Sequence, residues 1–330
     1  MQFNAKRVLI TGGAGFIGSN LAFYLQEKHP EVEVVLFDLF RTGERFSNGN
    51  LKSFGHYKNL IGFTGEIVSG DITCKSDLDR LRDYDFDVIF HEAAISDTTV
   101  NDQKMMIDTN LNAFRDLLRM AEDMKAAMVY ASSGATYGNA PAPQRVGREE
   151  PANIYGFSKL AMDNLARKWM KRTDIPIVGL RYFNVYGPRE YFKDSTASMV
   201  LQFGLQILEG RNPRLFEGSD RILRDFIYID DIVQANIKAS SPERSGIYNV
   251  GTGLARSFQD IVDILQKELG TSLECEYIPN PHLGQYQFFT QADIEDTRRY
   301  LAYEPEVTLE EGIRRYIPEI ERIFEEEKRG

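Results

Sequence analysis

The sequence predicts an α/β fold: a doubly wound parallel Rossmann sheet with a smaller C-terminal α/β lobe that binds a substrate. Up to about residue 193, short β-branched runs alternate with longer amphipathic segments, which is typical of βαβ units around a parallel sheet. A glycine-rich turn joins the first run to the first amphipathic segment. Because 330 residues exceed one domain of usual size, we expect a second lobe.

The individual elements follow in chain order. Strands are predicted at residues 8–11, 32–37, 67–69, 88–90, 128–132 and 177–182. Apolar residues at helical spacing predict helices at residues 16–28, 75–82, 105–125 and 154–172. Farther on, we expect helices at 199–209, 232–239 and 258–269 and short strands at 214–216 and 226–229. A capping-box pattern from Thr308 predicts the start of a C-terminal helix.

The change in pattern near residue 189 sets the predicted domain boundary. We assign residues 1–189 to a dinucleotide-binding Rossmann domain, to which residues of about 230–255 return. Residues 190–330 form mainly the substrate-binding lobe. In such sheets, ligands bind at the carboxyl ends of the strands.

Charge and composition exclude several classes of function. The 39 Lys and Arg residues against 49 Asp and Glu residues give a net charge of −10, which argues against nucleic acid or an anionic membrane as a partner. No apolar run approaches the about 18 residues that a membrane span needs. Cys74 and Cys275 are too few for a disulfide framework and lack zinc-site spacing, so we expect a cytoplasmic protein without a metal site.

The glycine turn indicates a bound dinucleotide. Gly12 permits the tight turn, Gly15 lets the backbone approach a pyrophosphate, and Gly18 allows close packing of the following helix. Asp38 ends the second predicted strand about twenty residues later, where an acid can bind the adenosine ribose. The ends of the next two strands complete the site, with Asp71, Ile72, Glu92, Ala93 and Ala94.

The choice between NAD and NADP stays open at this level. The carboxylate of Asp38 favours NAD, because it would repel a 2′-phosphate. Arg41 and Arg45 follow directly, and their guanidinium groups could pair with that phosphate or simply be solvated.

A tyrosine and a lysine are spaced for proton transfer. Tyr155 and Lys159 are four residues apart on a predicted helix, so both point to one side. A nearby ammonium stabilises a phenolate and lowers the pKa of the tyrosine toward working pH. Ser133, at the end of the fifth strand, can hydrogen-bond the same substrate hydroxyl.

These residues resemble the extended short-chain dehydrogenase/reductase family of nucleotide-sugar enzymes. The matching segments are residues 11–18, Ser132-Ser133 before residues 135–138, Tyr155 with Lys159, and residues 181–189. Within the family, residues 91–99, 186–195, 215–219, 224–226 and 285–292 are similar to the ADP-L-glycero-D-manno-heptose 6-epimerases. The narrower resemblance implies inversion of C6 of an ADP-heptose for lipopolysaccharide core biosynthesis, by a homo-oligomer with a tightly bound cofactor.

The resemblance also implies roles for particular residues. Tyr155 and Lys193 are the two acid/base residues, one for each face of the reacting carbon, and Ser133 and Lys159 support them. The implied cofactor contacts add Phe16, Ile17, Leu39, Ser96, Asn110, Val185 and Lys193 to the residues above. The implied substrate contacts are Ser96, Asn184, Ser195, Gln202, Phe216, Glu217, Gly218, Ser219, Arg224 and Tyr286.

Two positions depart from the family pattern. Leu39 replaces the usual Asn after the acid, which loses a polar contact to the ribose. Arg45 replaces a usual lysine and keeps the charge. The resemblance therefore implies NADP, with NAD as the alternative.

Three other functions compete with this interpretation. A UDP-hexose 4-epimerase shares the serine, tyrosine, lysine and glycine loop, but Lys193 and residues 285–292 favour the heptose enzyme. A sugar 4,6-dehydratase needs an acid pair where this chain has Gly134-Ala135-Thr136. A non-catalytic nucleotide-sensing Rossmann protein has no need of Tyr155 and Lys159, which are both present.

Overall fold

A computed structural model describes residues 3–279 and 288–329. The strands of these residues are β1 (Arg7–Thr11), β2 (Glu33–Asp38), β3 (Glu66–Ser69), β4 (Val88–His91), β5 (Ala127–Ser133), β6 (Ile177–Tyr182), β7 (Asn184–Tyr186), β8 (Arg214–Phe216), β9 (Leu223–Tyr228), β10 (Gly246–Val250), β11 (Ala255–Ser257) and β12 (Glu276–Ile278). The α-helices are α1 (Phe16–Lys28), α2 (Lys75–Asp79), α3 (Gln103–Met106), α4 (Ala113–Met124), α5 (Ile154–Met170), α6 (Met199–Leu208), α7 (Ile229–Ala239), α8 (Phe258–Leu269), α9 (Glu295–Leu301) and α10 (Leu309–Arg329).

The central sheet has seven parallel strands in the order β10-β6-β5-β4-β1-β2-β3. The order reverses beside β1, which is the point where doubly wound sheets bind their ligands. Strands β1, β4 and β6 are almost wholly buried, as expected for strands covered by helices on both faces. The predicted α/β Rossmann fold class is confirmed.

The smaller lobe is built from short sheets and three packed helices. Strand β9 lies between β11 and β7 in one sheet, and β12 pairs with β8 in another. Helices α6, α8 and α10 pack on each other through apolar residues such as Val200, Leu265 and Ile320. Strand β10 follows α7 and returns the chain to the central sheet, where it pairs with β6.

Two helix predictions need correction. The single helix predicted at 105–125 is interrupted by a π-helical segment, Ile107–Asn112, between α3 and α4. The amide side chain of Asn110 in this segment bonds both backbone groups of Ile95, and this contact to a neighbouring loop explains the interruption. The helix predicted at 75–82 ends as α2 at Asp79, and Arg82–Tyr84 forms a separate 3₁₀ turn.

A buried ion pair fixes helix α5 on the sheet. Arg181 of β6 is fully buried, and its guanidinium lies 2.7 Å from the Asp163 carboxylate of α5 and 2.6 Å from Glu149. The Tyr130 hydroxyl of β5 donates to the other oxygen of Asp163 at 2.9 Å. Removing one partner would leave a buried charge uncompensated, so these groups hold α5 in one position. The register of Tyr155 and Lys159 depends on this helix.

Candidate active site

A cavity of about 1280 Å³ opens at the carboxyl ends of the central strands. Its wall combines the turn before α1, the ends of β2, β4 and β5, the start of α5, and residues of the smaller lobe such as Phe226 and Phe258. The volume exceeds the roughly 300–1,000 Å³ of pockets for drug-sized ligands. It is therefore large enough for two extended ligands side by side.

The turn before α1 is closely packed and requires glycine. Gly12 has φ +71°, and a Cβ atom there would lie 2.7 Å from the backbone nitrogen of Ala93. A Cβ at Gly18 would lie 2.2 Å from the carbonyl oxygen of Gly12. Gly15 caps α1 without a side-chain bond, so the first N–H groups of the helix have no side chain to cap them. This turn fits the pyrophosphate of a dinucleotide, which a helix N-terminus attracts.

The carboxylate of Asp38 is held by the same turn. One of its oxygens accepts from the backbone N–H of Ala14 at 2.9 Å and the other from that of Phe40 at 2.7 Å. Burial raises the pKa of Asp38, and the two backbone bonds oppose that rise. Asp38 also lines the cavity, so its oxygens can receive further hydrogen bonds from a ribose.

The predicted cofactor residues divide into two groups. Those lining the cavity are Gly12, Gly15, Phe16, Ile17, Gly18, Asp38, Leu39, Asp71, Ile72, Glu92, Ala93, Ala94, Ser96, Lys159, Val185 and Lys193. Arg41, Arg45 and Asn110 are not in its wall. Arg41 donates to the carbonyl of Phe192, Arg45 donates to that of Gly49, and Asn110 joins the loop after β4 to Ser158 of α5.

Sequence reasoning missed three polar residues in the cavity wall. Thr42, Lys52 and Ser53 lie in the loop between β2 and β3 and line the cavity. The ammonium of Lys52 pairs with Glu44 at 3.0 Å, and Glu44 also lines the cavity. Lys52 lies fourteen residues beyond the acid and follows no glycine motif, so only the folding of this loop reveals it.

Tyr155, Ser133 and Lys159 come together in the cavity wall, as their spacing predicts. Asn153 caps α5 by accepting from the Gly156 N–H at 2.8 Å, which places Tyr155 in the first turn. Tyr155 hydrogen-bonds Ser133, and the ammonium of Lys159 lies 5.9 Å from the centre of the tyrosine ring. The same ammonium donates to the Ala131 carbonyl at 2.7 Å, so its position is fixed.

The electrostatics of this group differ from the sequence expectation. Burial raises the pKa of Tyr155 above its usual value, and the bond to Ser133 opposes the rise. Burial also lowers the pKa of Lys159 to about 8. The protein alone therefore holds Tyr155 as a phenol, because removal from water raises its pKa more than the bond to Ser133 lowers it.

A buried carboxyl, Glu92, faces this group. Burial raises the pKa of Glu92 to about 7, against the opposing effects of a Tyr182 bond and the Lys159 charge. The Tyr182 hydroxyl donates to one oxygen of Glu92 at 2.9 Å and receives a bond from Asn236 at 2.8 Å. In the part of the chain that the structure describes, the other oxygen has no hydrogen-bond partner. The neighbouring His91 is bonded to Thr11 at 2.7 Å, and burial lowers its pKa to about 3, so it is a neutral structural residue.

Lys193 approaches the cavity from a separate segment. It lies in the 3₁₀ segment Tyr191–Thr196, and its amine is 5.4 Å from the centre of the Phe16 ring at the start of α1. Burial lowers the pKa of Lys193, while the nearby Glu190 carboxylate opposes the change. A lowered pKa makes the amine of Lys193 easier to deprotonate than an ordinary lysine, which suits a group that exchanges protons.

The predicted substrate residues are more dispersed. Ser96 and Asn184 line the cavity. Ser195, Gln202, Phe216, Glu217, Gly218, Ser219 and Arg224 are not in its wall, and Tyr286 lies outside the described residues. Phe216 ends β8 and Arg224 lies on β9, so both belong to the smaller lobe. Thr290, Met199 and Phe258 of the same lobe do line the cavity, although nothing in their sequence pattern indicated it.

No helix across residues 3–279 and 288–329 has both the length and the apolar character to cross a membrane.

Comparison with known structures places this site in context. The chain is 48% identical to an ADP-L-glycero-D-manno-heptose-6-epimerase from Helicobacter pylori, with a TM-score of 0.89 over 97% of this chain and 99% of that one. It is 28% identical to a UDP-glucuronic acid 4-epimerase from Bacillus cereus, with a TM-score of 0.81 over 96% and 99%. It is 27% identical to a UDP-glucose 4-epimerase from Thermus thermophilus in complex with NAD, with a TM-score of 0.80 over 96% and 99%.

The family model described as "NAD dependent epimerase/dehydratase family" matches residues 8–251. This range contains the glycine turn, Asp38, Ser133, Tyr155, Lys159 and Lys193. The resemblance seen in the sequence is thus confirmed, and the cavity has the polar groups that a nicotinamide cofactor and a sugar hydroxyl require. The chain is an enzyme of the NAD dependent epimerase/dehydratase family.

Proposed function

We propose that this enzyme inverts C6 of the heptose in ADP-D-glycero-D-manno-heptose to give the L-glycero epimer. The observation that carries the proposal is the presence of Lys193 and Tyr155 in the wall of one cavity, on segments separated in sequence. The 48% identity to a heptose epimerase over almost the whole chain supports the same substrate.

Inversion of a carbinol carbon without net oxidation needs proton handling on two faces. A nicotinamide cofactor held by the turn before α1 would supply the acceptor for the C6 hydride and the donor that returns it. Tyr155, as a phenolate, takes the hydroxyl proton on one face or, as a phenol, donates it. On the other face, after the ketone has rotated in the cavity, Lys193 donates the proton as an ammonium or takes it as an amine. Two bases on separate segments can serve two orientations of the oxygen that one base could not reach equally.

The pKa directions suit these roles. Burial keeps Tyr155 protonated in the protein alone, so the base form depends on cationic neighbours. The fixed ammonium of Lys159 is one such neighbour, and the positive charge of an oxidised nicotinamide would be another. Binding of the oxidised cofactor and activation of Tyr155 would therefore occur together.

For the cofactor, we propose NADP, held by the turn before α1 and by the loop after β2. Lys52 and Thr42 supply a cation and a hydroxyl in the wall of the cavity that Asp38 also lines, and these groups could bind a 2′-phosphate. NAD is the alternative, because Asp38 lines the same wall. We further propose a cytoplasmic homo-oligomer that supplies activated heptose for the lipopolysaccharide core.

One experiment tests the reaction. Purified enzyme is incubated with ADP-D-glycero-D-manno-heptose without added nicotinamide, and proton NMR follows the appearance of the L-glycero epimer. Conversion supports both the reaction and a cofactor that remains bound through purification. If no conversion follows even after NADP or NAD is added, the heptose assignment fails. UDP-glucose and UDP-glucuronic acid in parallel samples then test for a hexose 4-epimerase.

A further inference from the structure

The segment that carries Lys193 is short and kinked. Tyr191–Thr196 consists of two 3₁₀ turns separated by a kink at Asp194, in which the Lys193 N–H donates to the Glu190 carbonyl at 2.9 Å and the Thr196 hydroxyl donates to the Lys193 carbonyl at 2.7 Å. The next residue, Asp194, has φ +55°, a left-handed conformation that costs free energy in a residue other than glycine. Such a segment keeps its shape only where neighbouring structure supports it.

Gln202 of α6 supplies part of this support by donating to the carbonyls of Ser195 and Ala197, and the loop between β2 and β3 supplies another part. The Arg41 guanidinium donates to the carbonyl of Phe192. The His56 ring stacks on the Phe192 ring, with ring centres 3.8 Å apart and planes inclined by 6°. Farther along, Ser195 donates to the side-chain oxygen of Asn50 at 3.0 Å. Contacts therefore flank Lys193 on both sides.

The contact at Phe192 acts directly on the lysine backbone. The carbonyl of Phe192 belongs to the peptide unit that contains the Lys193 nitrogen, and a peptide unit is planar. Holding its oxygen therefore fixes the plane from which the Lys193 side chain departs. The guanidinium also lies 5.8 Å from the centre of the Phe192 ring, so one cation contacts both parts of that residue.

Arg41 is thus engaged away from the cavity. It does not line the cavity, although Thr42 and Lys52 of the same loop do. Its Nε is buried and has no hydrogen-bond partner among residues 3–279 and 288–329. Burial lowers the pKa of Arg41, and the nearby carboxylate of Asp194 opposes this change. The positive charge of Arg41 therefore lies beside the segment that carries Lys193.

We infer that Arg41 is a positioning residue for Lys193, acting through Phe192 and assisted by the His56 ring. The inference rests on the proposed function, in which Lys193 transfers a proton and therefore needs a fixed position. It differs from the sequence expectation of a 2′-phosphate ligand. The loop that lines the adenosine end of the cavity also holds the second acid/base residue.

The test compares Arg41→Met, Arg41→Lys and a control, Lys58→Met, which removes an exposed cation from the same loop. Hydrogen–deuterium exchange of a peptide covering residues 190–198 is measured on each protein. We expect exchange at the Lys193 and Ala197 amides to rise by about tenfold or more in Arg41→Met, because their support is lost. Arg41→Lys should recover part of the protection, and Lys58→Met should match the wild type.

Two further measurements separate positioning from phosphate binding. In cofactor-free protein, calorimetry should give NADP⁺ and NAD⁺ affinities within about threefold of wild type for Arg41→Met. Heptose turnover should fall by about 10- to 100-fold, the usual range for a misplaced catalytic group. A phosphate ligand would instead lose about 10- to 100-fold in NADP⁺ affinity alone.

Unchanged exchange at residues 190–198, or a selective loss of NADP⁺ binding, would overturn the inference. If Arg41→Met does not fold, Phe192→Leu replaces it in the test. This variant removes the ring that stacks on His56, and it must raise the hydrogen–deuterium exchange of residues 190–198. Hydrogen–deuterium exchange and cofactor calorimetry do not depend on the substrate. A wild-type enzyme that leaves the heptose unchanged would therefore contradict only the proposed function.

Discussion

The amine of Lys193 lies 5.4 Å from the centre of the Phe16 ring, so this proposed acid/base residue lies beside the first residue of helix α1. The glycine turn immediately before Phe16 is the predicted pyrophosphate site. A residue from position 193 and a turn at position 12 thereby form adjacent parts of one cavity wall. If both residues act as proposed, this closeness would couple proton transfer to cofactor binding.

Tyr155→Phe should retain the cofactor and lose turnover. The variant removes only the hydroxyl that bonds Ser133, so the packing of the ring stays intact. Loss of a general acid/base costs about 100-fold or more. Turnover is followed by NMR, and bound nicotinamide is released by denaturation and quantified. Near-normal turnover would remove Tyr155 from the mechanism, and an unchanged effect on a regulated partner would favour a sensing role.

Lys193→Met should impair epimerisation by a similar factor, about 100-fold. Methionine keeps much of the apolar stem against Phe16 but cannot exchange a proton. The matched control is Lys171→Met, which changes an exposed lysine at the end of α5. Substrate affinity, measured separately by calorimetry, distinguishes a proton-transfer role from a charge that merely binds a diphosphate. A purely affinity-based defect would contradict the proposed mechanism.

Gly18→Ala should abolish cofactor binding. An added Cβ would lie 2.2 Å from the Gly12 carbonyl oxygen, and a backbone atom cannot yield as a side chain could. Gly204→Ala is the control, since the nearest atoms to its Cβ would be side-chain atoms of Ile320 and Leu265, at 3.0 Å and above. Calorimetric titration of NADP⁺ into cofactor-free protein compares the two. Equal affinities would show that the turn before α1 does not hold the dinucleotide.

Glu92→Gln should change how stability depends on pH. The pKa of Glu92 is raised to about 7 in the folded protein, so the native state binds this proton more tightly than the unfolded chain does. Wild-type stability therefore contains a contribution that is full at low pH and is lost as pH rises from about 4.5 to about 7. Glutamine does not ionise in this range, so the stability of the variant does not fall in this way.

The difference in unfolding free energy between the variant and the wild type should shift by about 1 to 3 kcal/mol in favour of the variant between pH 5 and pH 8. Urea unfolding of cofactor-free protein at the two pH values measures it. Tyr182→Phe keeps the Glu92 carboxyl but removes a hydrogen bond that stabilises its charged form. Between pH 5 and pH 8, the difference in unfolding free energy should therefore shift against this variant.

The sequence predicted the parts of the site that local patterns encode. Helix α1 and strand β6 have the bounds that their patterns predict, because glycines and buried β-branched runs are strong signals. Tyr155, Ser133 and Lys159 converge because a fixed helix register and a strand end determine their positions. Lys193 required the family resemblance, since an isolated lysine in a loop has no local pattern.

Other features depend on contacts that no local pattern contains. The π-helical segment 107–112 exists because Asn110 bonds the backbone of Ile95. The raised pKa of Tyr155 reflects burial, which the sequence alone does not report. Lys52 reaches the cavity through the path of a long loop, and Arg41 of the same loop turns away to Phe192.

The pairing of β10 with β6 also bears on the order in which the chain can fold during synthesis. By residue 230, a ribosome has made every residue of the glycine turn, Tyr155 and Lys193, yet β6 still ends the growing sheet with an unpaired edge. Exposed edges pair readily with other chains, so a nascent chain of that length is at risk of aggregation. We expect fragments ending before Gly246 to precipitate, and fragments that extend past Val250 to remain in solution longer.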